Sequence, residues 1–206
     1  MSTWPIAILA GMLVAACGGN VRAPEAARYD LGNPAGKAAE ARPGTRIPIA
    51  AVDVQAASWL AGPAMHFRLA YVEPLRRQSY AESRWAAPPA ELVEGFLKRR
   101  IVFGQPDFNG AGCRLQVVMD ELEQRFDDPQ ASRLVLEVRA LLTPSRGAEM
   151  LSRRTFAIHK PVPTADARGG VAAARDAVVT LGDDLGRWLD EVVREKPAIV
   201  ERCRTY

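Results

Sequence analysis

Two runs of alternating apolar side chains flank a turn at Asp127-Asp128-Pro129-Gln130, and together they demand a sheet with one buried face. Before the turn, Leu115, Val117 and Met119 share one parity. After it, Leu134, Leu136, Val138, Ala140 and Leu142 share another, with Glu137 and Arg139 between them. Successive strand side chains point to opposite faces, so the pattern predicts a long hairpin that is apolar on one side only. Leu122 and Phe126 fall on the parity opposite to Leu115, which predicts a bulge near Asp120-Glu121 that returns them to the buried face. A second turn from Pro144 to Gly147 leads into a strand from Met150 to His159, closed by Pro161 and Pro163, so the middle of the chain reads as an antiparallel meander.

A one-sided sheet must be covered, and the chain supplies two helices to do it. Val171, Ala174, Val178, Leu181, Leu185, Trp188 and Val192 recur at spacings of three and four, which places them on one stripe of a helix that ends before Pro197. Cys203 is then expected in a short tail. Gly182 and Gly186 within this helix read as tolerated defects of about 1 kcal/mol each. An earlier helix opens at Pro88-Pro89 and buries Leu92, Val93, Phe96, Leu97 and Ile101; Glu91 and Glu94 lie early in it and Lys98, Arg99 and Arg100 late, the order that suits the helix dipole. Shorter strands are expected at Arg28–Leu31, Ile47–Val54 and Met65–Tyr71.

The N-terminus carries a different signal. From Trp4 to Ala16 no side chain is charged, and Val14-Ala15-Ala16-Cys17 has the form of a bacterial lipobox, two small residues followed by the cysteine at which a lipoprotein signal peptidase cuts. The run is shorter than the roughly 20 apolar residues that span a bilayer as a helix. Residues 1–16 therefore read as a lipoprotein signal peptide, although Met1-Ser2-Thr3 lacks the usual Lys or Arg. Cys17 would become the acylated N-terminus, with a diacylglycerol and an N-acyl chain such as palmitate anchoring the protein in a membrane. Residues 17–27 read as a flexible tether and 28–206 as a single domain. Gly18, rather than Asp, follows Cys17 and favours the outer membrane, facing the periplasm.

A formal charge of +3 with interspersed signs gives nucleic-acid binding little support. With Cys17 acylated, Cys113 and Cys203 remain, and an oxidising compartment allows them to pair; the alternative is one buried thiol and one free thiol in the tail. His66 and His159 stand on separate strands with no second ligand at metal spacing, so no metal or other cofactor is expected. No nucleophile elbow, phosphate loop or dinucleotide fingerprint is present, and no catalytic residue is assigned. Gly169-Gly170 reads as a flexible helix entrance rather than an anion site, and Glu121/Glu123 and Asp183-Asp184 as solvated or salt-bridged carboxylates rather than acid-base pairs. Trp59, Trp85 and Trp188 read mainly as packing residues.

The lipobox, Tyr29-Asp30-Leu31, the strand from Ile47, Trp59-Leu60 and Met65-His66-Phe67-Arg68-Leu69 occur in an order that resembles the ABC-type transport auxiliary lipoproteins. The segment from Tyr80 to Leu92, which contains Tyr80, Arg84-Trp85-Ala86 and Pro88 at the family's spacing, is the strongest local likeness, and the resemblance continues through Leu115–Phe126 and Trp188-Leu189. It implies an α/β fold of the α+β type, a mostly antiparallel sheet with two helices packed on one face. It also implies a non-enzymatic, lipid-anchored accessory subunit of an intermembrane lipid transport system. The partners would be an MCE-domain protein and its ABC permease and ATPase, with a homo-oligomer left open. Trp59, Leu60 and Trp85 are the candidate docking residues. Two alternatives stand beside this reading: an assembly lipoprotein supporting an outer-membrane β-barrel, and a lipid-anchored hydrolase that would need His66 or His159 as its base.

Overall fold

The computed structural model describes residues 25–33, 47–102, 112–146 and 149–204; the lipobox and Cys17 lie outside them. Among the described residues the strands are β1 (Ala27–Tyr29), β2 (Ile49–Ala56), β3 (Ala64–Leu69), β4 (Gln78–Trp85), β5 (Cys113–Phe126), β6 (Ser132–Thr143) and β7 (Ser152–Pro161). They form one mixed sheet in the order β1-β4-β3-β5-β6-β7, with β2 beside the first half of β5 and β3 beside its end. The long β5-β6-β7 meander is antiparallel and makes the sheet mostly so, whereas β1 on β4, and β2 and β3 on β5, are parallel.

The bulge falls where the parity change requires it. Register between β5 and β6 shifts between Met119 and Glu121, so Leu115, Val117 and Met119 before it and Leu122 and Phe126 after it are all buried. Above this face lie α1 (Pro89–Leu97), which continues into a π-helical turn at Lys98–Val102, and α2 (Ala167–Glu195). The α1 helix packs on β2 and α2 on β6 and β7. Val178, Leu181, Leu185 and Trp188 of α2 are sequestered from solvent, with Trp188 edge-on to Phe156 at 6.1 Å. At roughly 1.5–3 kcal/mol for each fully buried large apolar side chain, this stripe is the main attachment of the helix.

Local chemistry fixes the ends of these elements. Asp166 caps α2 by accepting from the Gly169 amide at 2.7 Å and from the Thr164 hydroxyl at 2.9 Å. The Gly169-Gly170 pair is a packing device and not a flexible entrance. A Cβ on Gly169 would lie 2.1 Å from the Thr164 carbonyl, and one on Gly170 would lie 2.4 Å from Gln124 Oε1. Gly182 likewise gives room to Arg100, which pairs with Asp183, while Gly186 faces open space. The free edge of β2 is blunted by α1, because Glu94 Oε2 accepts from the Val54 amide at 2.9 Å.

The segment after Pro197 is helical, α3 (Ala198–Arg204), rather than an irregular tail. Its Cys203 faces Cys113 at the start of β5, with the sulfurs at bonding distance, 1.97 Å, and the Cα atoms 4.8 Å apart. A bridge across 90 residues removes a large loop from the unfolded chain, roughly 4–5 kcal/mol in the chain-entropy treatment.

Candidate interaction surface

The helices cover one face of the sheet and leave the other open. In register across this open face lie Arg114, Gln116 and Val118 of β5, Glu137, Arg139 and Leu141 of β6, and Arg153, Thr155 and Ala157 of β7. Most of it is a solvated surface laced with pairs such as Arg139–Asp120, at 2.6 and 2.7 Å.

One corner is different. After the bulge, Glu121 and Glu123 project onto the open face, and the β3–β4 hairpin brings two arginines against them. Arg77 grips Glu121 in a fork, Nη1 to Oε1 at 2.6 Å and Nη2 to Oε2 at 2.7 Å. Arg68 Nε reaches both oxygens of Glu123 at 2.7 Å. Glu123 is almost completely buried. Burial first, and the Glu121 charge second, push its pKa up, while the two guanidinium groups pull it down. The two cations balance the two anions, so the network fixes the hairpin on the sheet without adding net charge.

Trp59 lies on top of this network. It belongs to a short 3-10 turn at Ser58–Leu60, and its ring stands 5.7 Å from the Arg77 guanidinium carbon, a cation–π contact. Its carbonyl is 3.0 Å from His66 Nε2. Burial and the neighbouring Arg77 hold the His66 pKa below its ordinary value, which favours the neutral ring with Nε2–H donating to that carbonyl. Trp59 is thus half exposed yet held from below.

The three residues read from the sequence as docking candidates therefore separate. Trp59 is on the surface, 52% exposed, but Leu60 (1%) and Trp85 (5%) are in the core and offer nothing to a partner. The 3-10 turn directs Leu60 inward and Trp59 outward, and Trp85 ends β4 beside Met65, Tyr80, Leu122, Leu134 and Gly170 of α2. The cavity they border holds about 10 Å³, room for no more than about one water and far too little for an acyl chain. Tyr80 closes it by donating to Gln124 Oε1 at 3.0 Å, and burial, aided by Asp166, pushes its pKa up to about 12. Gln124 in turn donates to Ser132 Oγ at 2.9 Å.

His66 and His159 lie on β3 and β7, strands separated in the sheet by β5 and β6. Among the described residues, no group of three His, Cys, Asp or Glu side chains is placed to hold a metal ion, and no helix is long and apolar enough to cross a membrane. The Arg68–Arg77 pairing with Glu121 and Glu123 was hidden in the sequence. The parity of 121 and 123 after the bulge was its only visible sign.

Two solved structures share this fold. A crystal structure of a protein from Xanthomonas campestris superposes with a TM-score of 0.62 at 20% identity, covering 84% of this chain and 96% of that one. The crystal structure of an uncharacterized protein gives 0.59 at 13% identity, covering 80% and 99%. At these identities the likeness is one of fold. No curated protein matches the chain. The sequence profile of the ABC-type transport auxiliary lipoprotein component matches residues 29–186, from β1 to late in α2. With the profile spanning most of the chain and the fold in agreement, the protein belongs to the ABC-type transport auxiliary lipoprotein family and associates with a membrane-bound ABC transport system.

Proposed function

We propose that the protein is a non-enzymatic, lipid-anchored accessory subunit of an MCE/ABC-type intermembrane lipid transport system. Cys17 is its acylated residue, residues 1–16 its signal peptide, 17–27 its tether and 28–206 its folded body. The anchor sits in the outer membrane and the body faces the periplasm, where it docks an MCE-domain tunnel to that membrane. The anchor confines the search for that tunnel to the membrane plane and so raises the effective concentration of the docking surface.

The observation that carries the reading is the placement of Trp59. A half-exposed tryptophan resting on a pre-formed ion network is the kind of rigid aromatic anchor on which protein interfaces concentrate their binding energy. The open sheet face beside it supplies polar side chains for a rim. Substituting Trp59 with a photo-crosslinking phenylalanine analogue in the full chain, then illuminating native membranes, tests the reading. Capture of an MCE-domain protein is expected. Capture of an outer-membrane β-barrel instead would replace this reading with the assembly alternative.

A further inference from the structure

The hairpin between β3 and β4 ends in an uncovered apolar tip. Leu75 is 91% exposed, Val72 65% and Tyr71 45%, three of the five exposed large hydrophobic residues among the described ones, and all within five positions. The tip is a built feature. The amides of Val72 and Glu73 both donate to the Leu69 carbonyl at 3.0 and 2.9 Å, the Arg76 amide donates to the Glu73 carbonyl at 3.1 Å, and Arg68 Nη1 donates to the Pro74 carbonyl at 3.3 Å. These bonds hold the loop in a shape that leaves its large apolar side chains outside.

The direction of the chain gives the tip a role. The β1 strand runs parallel to β4, with Ala27 level with Ser83, and β4 begins at the tip. The β1 strand therefore enters the sheet from the end at which the tip projects. Arg77, where the tip meets β4, lies six residues along the strand from Ser83. That is about 20 Å toward this end. Ten chain steps lead from Cys17 to Ala27. They can span at most about 35 Å. A membrane holding Cys17 is thus within reach of the tip, with little slack beyond it.

Charge permits the approach. Three carboxylates at this end are engaged: Glu73 by Arg76, Asp127 by Arg133, and Asp128 by the amides of Gln130 and Ala131. Arg68, Arg125 and Arg133 stand in register across β3, β5 and β6, and Arg125 Nε is buried without a hydrogen-bond partner among the described residues.

We propose that Tyr71, Val72 and Leu75 form a second membrane contact, dipping into the headgroup layer of the leaflet that holds Cys17. The inference rests on the assignment of Cys17 as the anchor. A tyrosine beside aliphatic side chains suits that interface, where one end of the ring is wet and the other apolar. Two contacts fix what one flexible anchor leaves free, the orientation of the body, and so hold the Trp59 corner at a set angle to the membrane.

The test uses the full acylated chain carrying Leu75→Cys or, as the control, Met150→Cys. Met150 is also exposed and apolar but sits at the opposite end of the sheet. Each thiol is labelled with an environment-sensitive nitrobenzoxadiazole probe. The proteins are reconstituted in vesicles of phosphatidylethanolamine and phosphatidylglycerol that contain a lipid with a nitroxide quencher on its headgroup. Loss of fluorescence at position 75 and none at 150 is expected. Flotation with the vesicles but no quenching at 75 would overturn the tip and leave the anchor standing. Failure to float would overturn the anchor, and the tip with it. Equal quenching at both positions would mean that the body lies on the membrane without the proposed orientation.

Discussion

Gly170→Ala is expected to destabilise the protein, although in most helices the same change is favourable. The new methyl would lie 2.4 Å from Gln124 Oε1, so the amide must retreat by about 1 Å to reach an ordinary contact. Gln124 is buried and accepts from Tyr80, which is partly buried against the core. Overpacking of this kind costs about 1–3 kcal/mol, and a half-buried hydroxyl that loses its acceptor adds about 1 kcal/mol. The gain in helix propensity is at most about 1 kcal/mol. A net loss of about 1–4 kcal/mol should therefore appear in urea unfolding followed by the fluorescence of the buried Trp188. Gly186→Ala is the internal control. It lies on the same helix, its Cβ would meet nothing within 4 Å, and it should stabilise by about 0.5–1 kcal/mol. If Gly170→Ala proved as stable as Gly186→Ala, the close approach of α2 to Gln124 would be wrong. Adding Gln124→Ala should shrink the cost of the glycine change, because the obstacle is then gone.

Other regions make equally definite predictions. Cys203→Ala should cost about 2–5 kcal/mol and remove the sensitivity of the unfolding midpoint to reductant; an unchanged midpoint would show that Cys113 and Cys203 are not paired in solution. Asp166→Ala should cost about 1 kcal/mol near neutral pH through loss of the cap. The Asp166 carboxyl is held below its ordinary pKa by the Gly169 amide first and the Thr164 hydroxyl second, so its charged form stabilises the fold above the unfolded value near 4. That contribution is lost as pH falls through the lower folded value, and the gap between Asp166→Asn and the parent should close over the same range. His66 has its folded pKa depressed by burial and by Arg77, so it favours the fold above its unfolded value near 6.5 and opposes it as the pH falls below. In His66→Gln this part of the pH dependence should flatten. Trp59→Ala should leave the unfolding midpoint nearly unchanged while weakening capture of the transport partner; a large loss of stability would place Trp59 with the core residues instead.

The parts of the fold legible from the sequence are those whose pattern is local. Leu115 to Leu142 carry their own alternation, and the change of parity at Asp120-Glu121 marks the bulge, because a strand has only two faces. The α2 stripe is equally local. By contrast, β4 was hidden because Gln78–Trp85 presents only Tyr80 and Trp85 as large apolar residues, among polar ones that face solvent or the ion network. The parallel pairing of β2 with β5 joins segments about sixty residues apart, and no short-range pattern records such a register. At the surface, Trp59 and Leu60 are adjacent and equally apolar; only the 3-10 turn decides which one is inside. The burial of Glu123 needs a hairpin folded over it, a long-range event that neither arginine announces.

The proposed docking role turns on what Trp59 meets in the cell. Photo-crosslinking from position 59 of the acylated full chain in native membranes, with the captured protein identified by mass spectrometry, addresses this directly. Docking of Trp59 onto the tunnel would yield an MCE-domain protein, with the crosslink lost when the chain carries Cys17→Ala and no longer reaches the membrane. A β-barrel as the captured partner, or an unchanged crosslink from the unanchored variant, would contradict it.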